Sequence, residues 1–136
     1  LRLAALWHDI GIFIQSNAHH KHSYYLISNI EIPGIARKDI RLIALIARYH
    51  RKALPKKYHN EYMNLSEKSR VIVSKLASLL RIADALDRSH CELLETIGAE
   101  ISGHNVTLFV NFKENAWIEK LYLGRSVIVL KSMIRF

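Results

Sequence analysis

The chain has 136 residues, half of them hydrophobic, enough for one compact core with a small appendage. Its formal net charge of +8 favours anionic partners through a long-range field, among them polyphosphate, nucleotides, nucleic acid or an acidic protein. Apolar stretches are interrupted by Arg, Asp or His well short of the roughly 20 residues of a membrane span, no signal-peptide pattern opens the chain, and the single Cys91 excludes an intramolecular disulfide framework and suits a reducing cytoplasm.

The chain starts Leu1-Arg2-Leu3, with neither Met nor a capping residue, which reads as a piece of a longer protein. Leu3, Leu6, Ile10 and Phe13 form an apolar stripe at helical spacing, with Gly11 marking the end of that helix. Ser16 to Lys21 is polar and His-rich, a loop or helix start, and His22 to Glu31 predicts a short amphipathic helix. Pro33-Gly34 signals a turn. Ile40, Ile43, Ala44 and Ala47 predict a helix over 39–50, and 53–64 reads as a loop.

Ser66 has the character of an N-cap. The apolar set Val71, Leu76, Leu79, Leu80, Ala83 and Leu86 carries the longest helix to about His90. The pattern then changes near Glu95. Strands are expected at 99–101 and 106–112, joined through Gly103-His104-Asn105, with a last helix over 116–133 that Gly124 and three β-branched residues weaken.

Three features carry chemistry. His8-Asp9 offers an imidazole and a carboxylate from one short stretch. Neighbouring helical side chains diverge by about 100°, yet they can converge on an ion between them, and nitrogen with oxygen suits Mn, Fe, Co, Zn or Mg. Asp84 interrupts the apolar stripe of the long helix, and a buried carboxylate needs a cation. Either a metal or an arginine (Arg81 or Arg88, each within helical reach) meets that need. Finally, His19, His20 and His22 cluster around Lys21, and His50 precedes Arg51-Lys52. Such groups complete a metal shell or bind phosphate.

The run His8-Asp9-Ile10-Gly11 resembles the namesake motif of the HD superfamily, with Asp84 at the place of its late Asp. More specifically, the blocks 19–27 (HHKHSYYLI), 45–55 (LIARYHRKALP) and 79–90 (LLRIADALDRSH) resemble, in order and spacing, the exopolyphosphatase/guanosine pentaphosphate phosphatase (Ppx/GppA) family. The resemblance implies a mainly α fold: an HD-type helical domain over 1–92 and a small α/β appendage, hairpin plus helix, over 93–136. It implies actin-like domains upstream that hold the phosphatase chemistry, and a dimer as a plausible assembly for the family.

On that reading the metal ligands are His8, Asp9 and Asp84, with His22 and His50 as further candidates. The additional upstream His usual in HD metal sites would precede Leu1. Phosphate falls to His19, His20, Lys21, Arg51, Lys52 and Arg88, with polyphosphate or a guanosine polyphosphate as ligand. No catalytic residue is assigned. The alternative is an autonomous metal-dependent HD phosphohydrolase acting on a nucleotide or phosphoester. Nucleic acid is disfavoured, because the basic residues are dispersed and no aromatic-basic module appears.

Overall fold

A computed structural model describes residues 1–102 and 105–113. The expected final helix and the tip of the hairpin lie outside the described residues. The chain divides into two compact units, Leu1–Arg81 and Ile82–Phe136. The described residues are mainly helical, with one small antiparallel sheet.

The first unit opens with α1 (Arg2–Trp7), followed by a short 3-10 turn at Ile10–Phe13. The change of helix type breaks the periodicity that joined Leu3 to Phe13. Ala4 is the buried residue of α1, while Leu6 and Phe13 are exposed, Phe13 at 94%. The expected stripe is therefore not a core stripe.

Helix α2 runs His19–Asn29, three residues earlier than the sequence suggested. Ala18, at φ 55°, turns the chain into it without a side-chain cap, and no propensity rule signals that. Its buried residues His19, Ser23 and Ile27 follow one another at steps of four. The turn at Pro33-Gly34 is closed by the Ile35 amide donating to the Ile32 carbonyl at 3.1 Å, with Gly34 at φ 84°. That positive φ at the third position is what a type II turn asks of glycine.

Helix α3 (Arg37–Arg48) has Asp39 in its first turn and Arg48 in its last, matching the helix dipole. Four consecutive residues, Ala44 to Ala47, are buried, so its C-terminal half is enclosed on all sides. A short α4 (Asn60–Met63) interrupts the expected loop.

Helix α5 spans Glu67–Leu86. The Ser69 amide donates to Ser66 Oγ at 3.3 Å, the cap the sequence indicated. Its core stripe is Val73, Ala77 and Leu80, whereas Val71 and Leu79 are exposed. The rotation follows from packing: Val73, Ala77 and Leu80 join Ala4, Leu45, Ile46 and Tyr49 in one cluster. Ile27, Ala44 and Ala47 make a smaller cluster between α2 and α3.

In the second unit, β1 (Leu94–Ser102) pairs with β2 (Asn105–Phe112), and an irregularity falls between Leu94 and Thr96. β1 starts five residues before the expected 99–101, because Thr96 and Ile97 continue the ladder opposite Asn111 and Val110. The Asn111 amide donates to Thr96 Oγ1 at 2.8 Å across the strands.

Candidate metal centre

Two histidines and one aspartate of the first unit meet at a single point. Asp9 Oδ1 lies 3.0 Å from His19 Nε2 and 3.5 Å from His50 Nε2. The two Nε2 atoms are 3.3 Å apart, and the rings stack at 24°. His19 and His50 are buried, and Asp9 is partly exposed.

Local backbone fixes the orientation of these rings. His50 Nδ1 is 2.6 Å from the Ala47 carbonyl, and His19 Nδ1 is 3.0 Å from the Ser16 carbonyl. A carbonyl only accepts, so each Nδ1 carries the proton and donates. His8 follows the same rule, with Nδ1 2.7 Å from the Ala5 carbonyl. In the neutral rings the lone pair is then on Nε2. His8 Nε2 lies 3.5 Å from Asp9 Oδ2, and its ring meets that of His50 edge-on at 4.8 Å.

Two Nε2 lone pairs and a carboxylate oxygen thus converge within hydrogen-bonding range. Such a set of donor atoms can hold a proton or a metal ion among them. The donor types are ones a divalent transition metal can use: imidazole Nε2, a carboxylate, and a far ring nitrogen held by a carbonyl that fixes the tautomer.

Cations flank this cluster. Arg51 Nη1 approaches His19 Nε2 at 3.5 Å. Lys21 and Lys52 are exposed, Lys52 at φ 59° just past α3. Arg81 holds that stretch by donating to the Tyr49 carbonyl at 3.1 Å and the Lys52 carbonyl at 3.3 Å. His20 packs edge-on against His19, and burial, then the neighbouring His19, Lys21, Arg48 and Arg51, push its pKa down to about 4. It is neutral near pH 7, so toward phosphate it offers a hydrogen bond rather than a charge.

Beside the cluster, Tyr49 Oη lies 2.9 Å from His59 Nδ1, which also accepts the Lys56 amide at 3.3 Å. An amide only donates, so Nδ1 is the acceptor and Tyr49 gives it a proton. The two shifts agree with that: burial raises the Tyr49 phenol to about 12, and burial, then Arg48, lowers His59.

In the second unit Asp84 Oδ2 pairs with Arg88 at 2.7 Å. This is one of the two arginine pairings foreseen for it, and it engages a residue assigned to phosphate. His22 belongs to no metal-competent group among the described residues, whereas His19, assigned to phosphate, does. The signal for His19 was its spacing of four from Ser23 and eight from Ile27, legible only with the helix started at 19.

Comparison with known proteins agrees with the sequence motifs. Residues 1–127 match the family model described as Ppx/GppA phosphatase, domain III. A guanosine-5'-triphosphate,3'-diphosphate pyrophosphatase of Pseudoalteromonas translucida (strain TAC 125) is 36% identical over 83 residues, 61% of this chain and 16% of that protein. Its namesake in Vibrio cholerae (serotype O1, strain ATCC 39541 / Classical Ogawa 395 / O395) is 27% identical over 132 residues, 97% of this chain and 25% of that protein. In Vibrio campbellii (strain ATCC BAA-1116) the figures are 28% over 120 residues, 88% and 22%. The chain spans a quarter or less of the length of these relatives. By sequence motif and by family match, the chain belongs to the Ppx/GppA phosphatase family, in the region of its domain III.

Proposed function

We propose that this chain is the HD-type helical domain of a larger exopolyphosphatase-like phosphohydrolase, and that it holds a divalent cation at Asp9, His19 and His50 to engage a polyphosphate or guanosine polyphosphate. The observation that carries this reading is the convergence of two Nδ1-anchored imidazoles on one carboxylate oxygen. The names of the relatives favour a guanosine polyphosphate as ligand. His8 stands beside the ligands, and Asp84 is carried as a candidate ligand from its motif.

A bound ion would polarise a phosphoryl oxygen as a Lewis acid. The protein's part is to position the phosphate chain. Arg51, at the edge of the cluster, donates to a phosphate oxygen in a fixed fork. Lys21 and Lys52 add exposed positive charge, His20 adds a neutral donor, and Arg88 is carried as a further phosphate contact.

The test pairs metal analysis with polyphosphate binding by the 136-residue chain. We expect stoichiometric Mn²⁺ or Co²⁺ uptake and salt-sensitive polyphosphate binding, weakened by Arg51→Ala with Lys52→Ala. Absence of uptake would remove the ion from this reading. Unchanged polyphosphate affinity in the double variant would remove the phosphate site.

The same compact ligand set favours a second reading, autonomous hydrolysis of a phosphoester. Phosphate release by the isolated chain, lost in Asp9→Asn, would select it over an accessory role.

A further inference from the structure

We propose that Ser23 is the positioning residue of the candidate ion site, clamping the turn that carries Asp9 onto the helix face that carries His19. The inference rests on the ion site proposed above and goes beyond its ligands.

Ser23 is fully buried. Its hydroxyl accepts the Gly11 amide at 2.9 Å and donates to the His8 carbonyl at 2.5 Å. Those two backbone groups flank Asp9 on either side. One hydroxyl, using its proton and one lone pair, therefore ties down both ends of the segment from which the carboxylate projects.

The other end of the clamp is α2. His19 and Ser23 are one helical turn apart on its buried face. The helix that supplies an imidazole to the cluster thus also supplies the hydroxyl that fixes its carboxylate, and their separation is set by helix geometry.

Gly11 permits the approach. A Cβ at that position would lie 2.2 Å from the His19 carbonyl oxygen and 2.4 Å from the Ser23 nitrogen, both backbone atoms that cannot swing aside. The turn lies against α2 with no room for a side chain, so Asp9 can be held at a fixed distance from His19. Metal ligation tolerates errors of only about 0.2 Å in ligand distance, so the loss of this clamp should be felt in metal affinity.

The experiment titrates Co²⁺ into the 136-residue chain and reads both affinity and the visible d–d spectrum. Ser23→Ala should bind Co²⁺ roughly 10- to 100-fold more weakly, the usual effect of removing a group that orients a ligand. Its saturated spectrum should differ from wild type, a change that a merely structural loss would not produce. Ser28→Ala, the same replacement five residues further along α2, should match wild type in both.

If Ser23→Ala does not fold, Ser23→Cys keeps the volume with a weaker donor, and should show a smaller loss of affinity in the same direction. Wild-type affinity and spectrum in a folded Ser23 variant would overturn the positioning role while leaving the ion site intact. A wild-type chain that binds no Co²⁺ would overturn the ion site, and this inference with it.

Discussion

The two units treat glycine and polar side chains in opposite ways. In the helical unit Gly11 is in backbone contact with α2, and His19, Ser23 and His50 are buried with their polar atoms tied to nearby backbone. In the hairpin a Cβ on Gly98 would meet Phe109 Cβ at 3.9 Å, an ordinary contact, and the exposed Thr96 and Asn111 bond to each other. The helical unit has its polar groups placed by the fold. Among the described residues, the hairpin pair Thr96 and Asn111 is placed by cross-strand register.

A matched pair of substitutions breaks this comparison most directly. Gly11→Ala should destabilise the helical unit by about 3 kcal/mol or more, because backbone has to move. Gly98→Ala should be neutral or stabilising by up to about 1 kcal/mol, since its φ is not in the left-handed region and the new methyl meets Phe109 Cβ at an ordinary van der Waals distance. Urea unfolding followed by circular dichroism measures both. Equal effects would show that the two glycines are not differently placed.

The next largest effect tests the cluster. Asp9→Asn removes the carboxylate charge but keeps the shape, and should lower Mn²⁺ affinity by more than about 100-fold, beyond the loss expected from an outer group. Calorimetric titration decides it, and the thermal midpoint without metal should change little by comparison.

A smaller effect concerns the tyrosine beside the cluster. Tyr49→Phe deletes the bond to His59 and should cost about 1 kcal/mol. Replacing Thr96 by Val, which removes the partner of Asn111 in the hairpin, should cost less than about 0.5 kcal/mol because the pair is exposed. A reversed order would contradict the contrast between buried and exposed polar pairs.

The smallest effect is in pH. His59 titrates lower in the folded chain than in the unfolded one. The unfolded state therefore binds the proton first as pH falls. Stability from this group is intact above the ordinary His pKa of about 6.5 and declines below it, until the folded-state pKa is reached. Thermal melts from pH 7.5 to 4.5 should show a shallower fall in His59→Gln than in wild type.

Much of the fold was legible in the sequence. The Pro33-Gly34 turn, the Ser66 cap and the existence of α3 and α5 follow from local chemistry that the structure keeps. The face of α5 did not follow, since its leucines and valines are spread around the helix and packing against α3 selected Val73 and Leu80 over Val71 and Leu79.

At the site, Asp9 and His50 stood out in the sequence as metal candidates, and the fold brings them together. The place of His19 was not. Its helix begins at a left-handed alanine, and its ring is oriented by the Ser16 carbonyl, neither of which leaves a mark in residue type. Ser23 was hidden for a related reason, because a serine amid tyrosines reads as an ordinary helix residue until Gly11 is found against it.

The bond from Tyr49 to His59 has a consequence for ligand capture. Together with Arg81 on the Tyr49 and Lys52 carbonyls, it closes the stretch from 49 to 59 into a ring anchored at both ends. Arg51 and Lys52 sit inside that ring rather than on a free strand. Ordering a rotamer-rich side chain on binding costs about 0.5 to 1.5 kcal/mol, and tethered backbone spares the further entropy of freezing the loop. On the proposed phosphate-binding reading, a polyanion would meet charges whose main chain is already set in place.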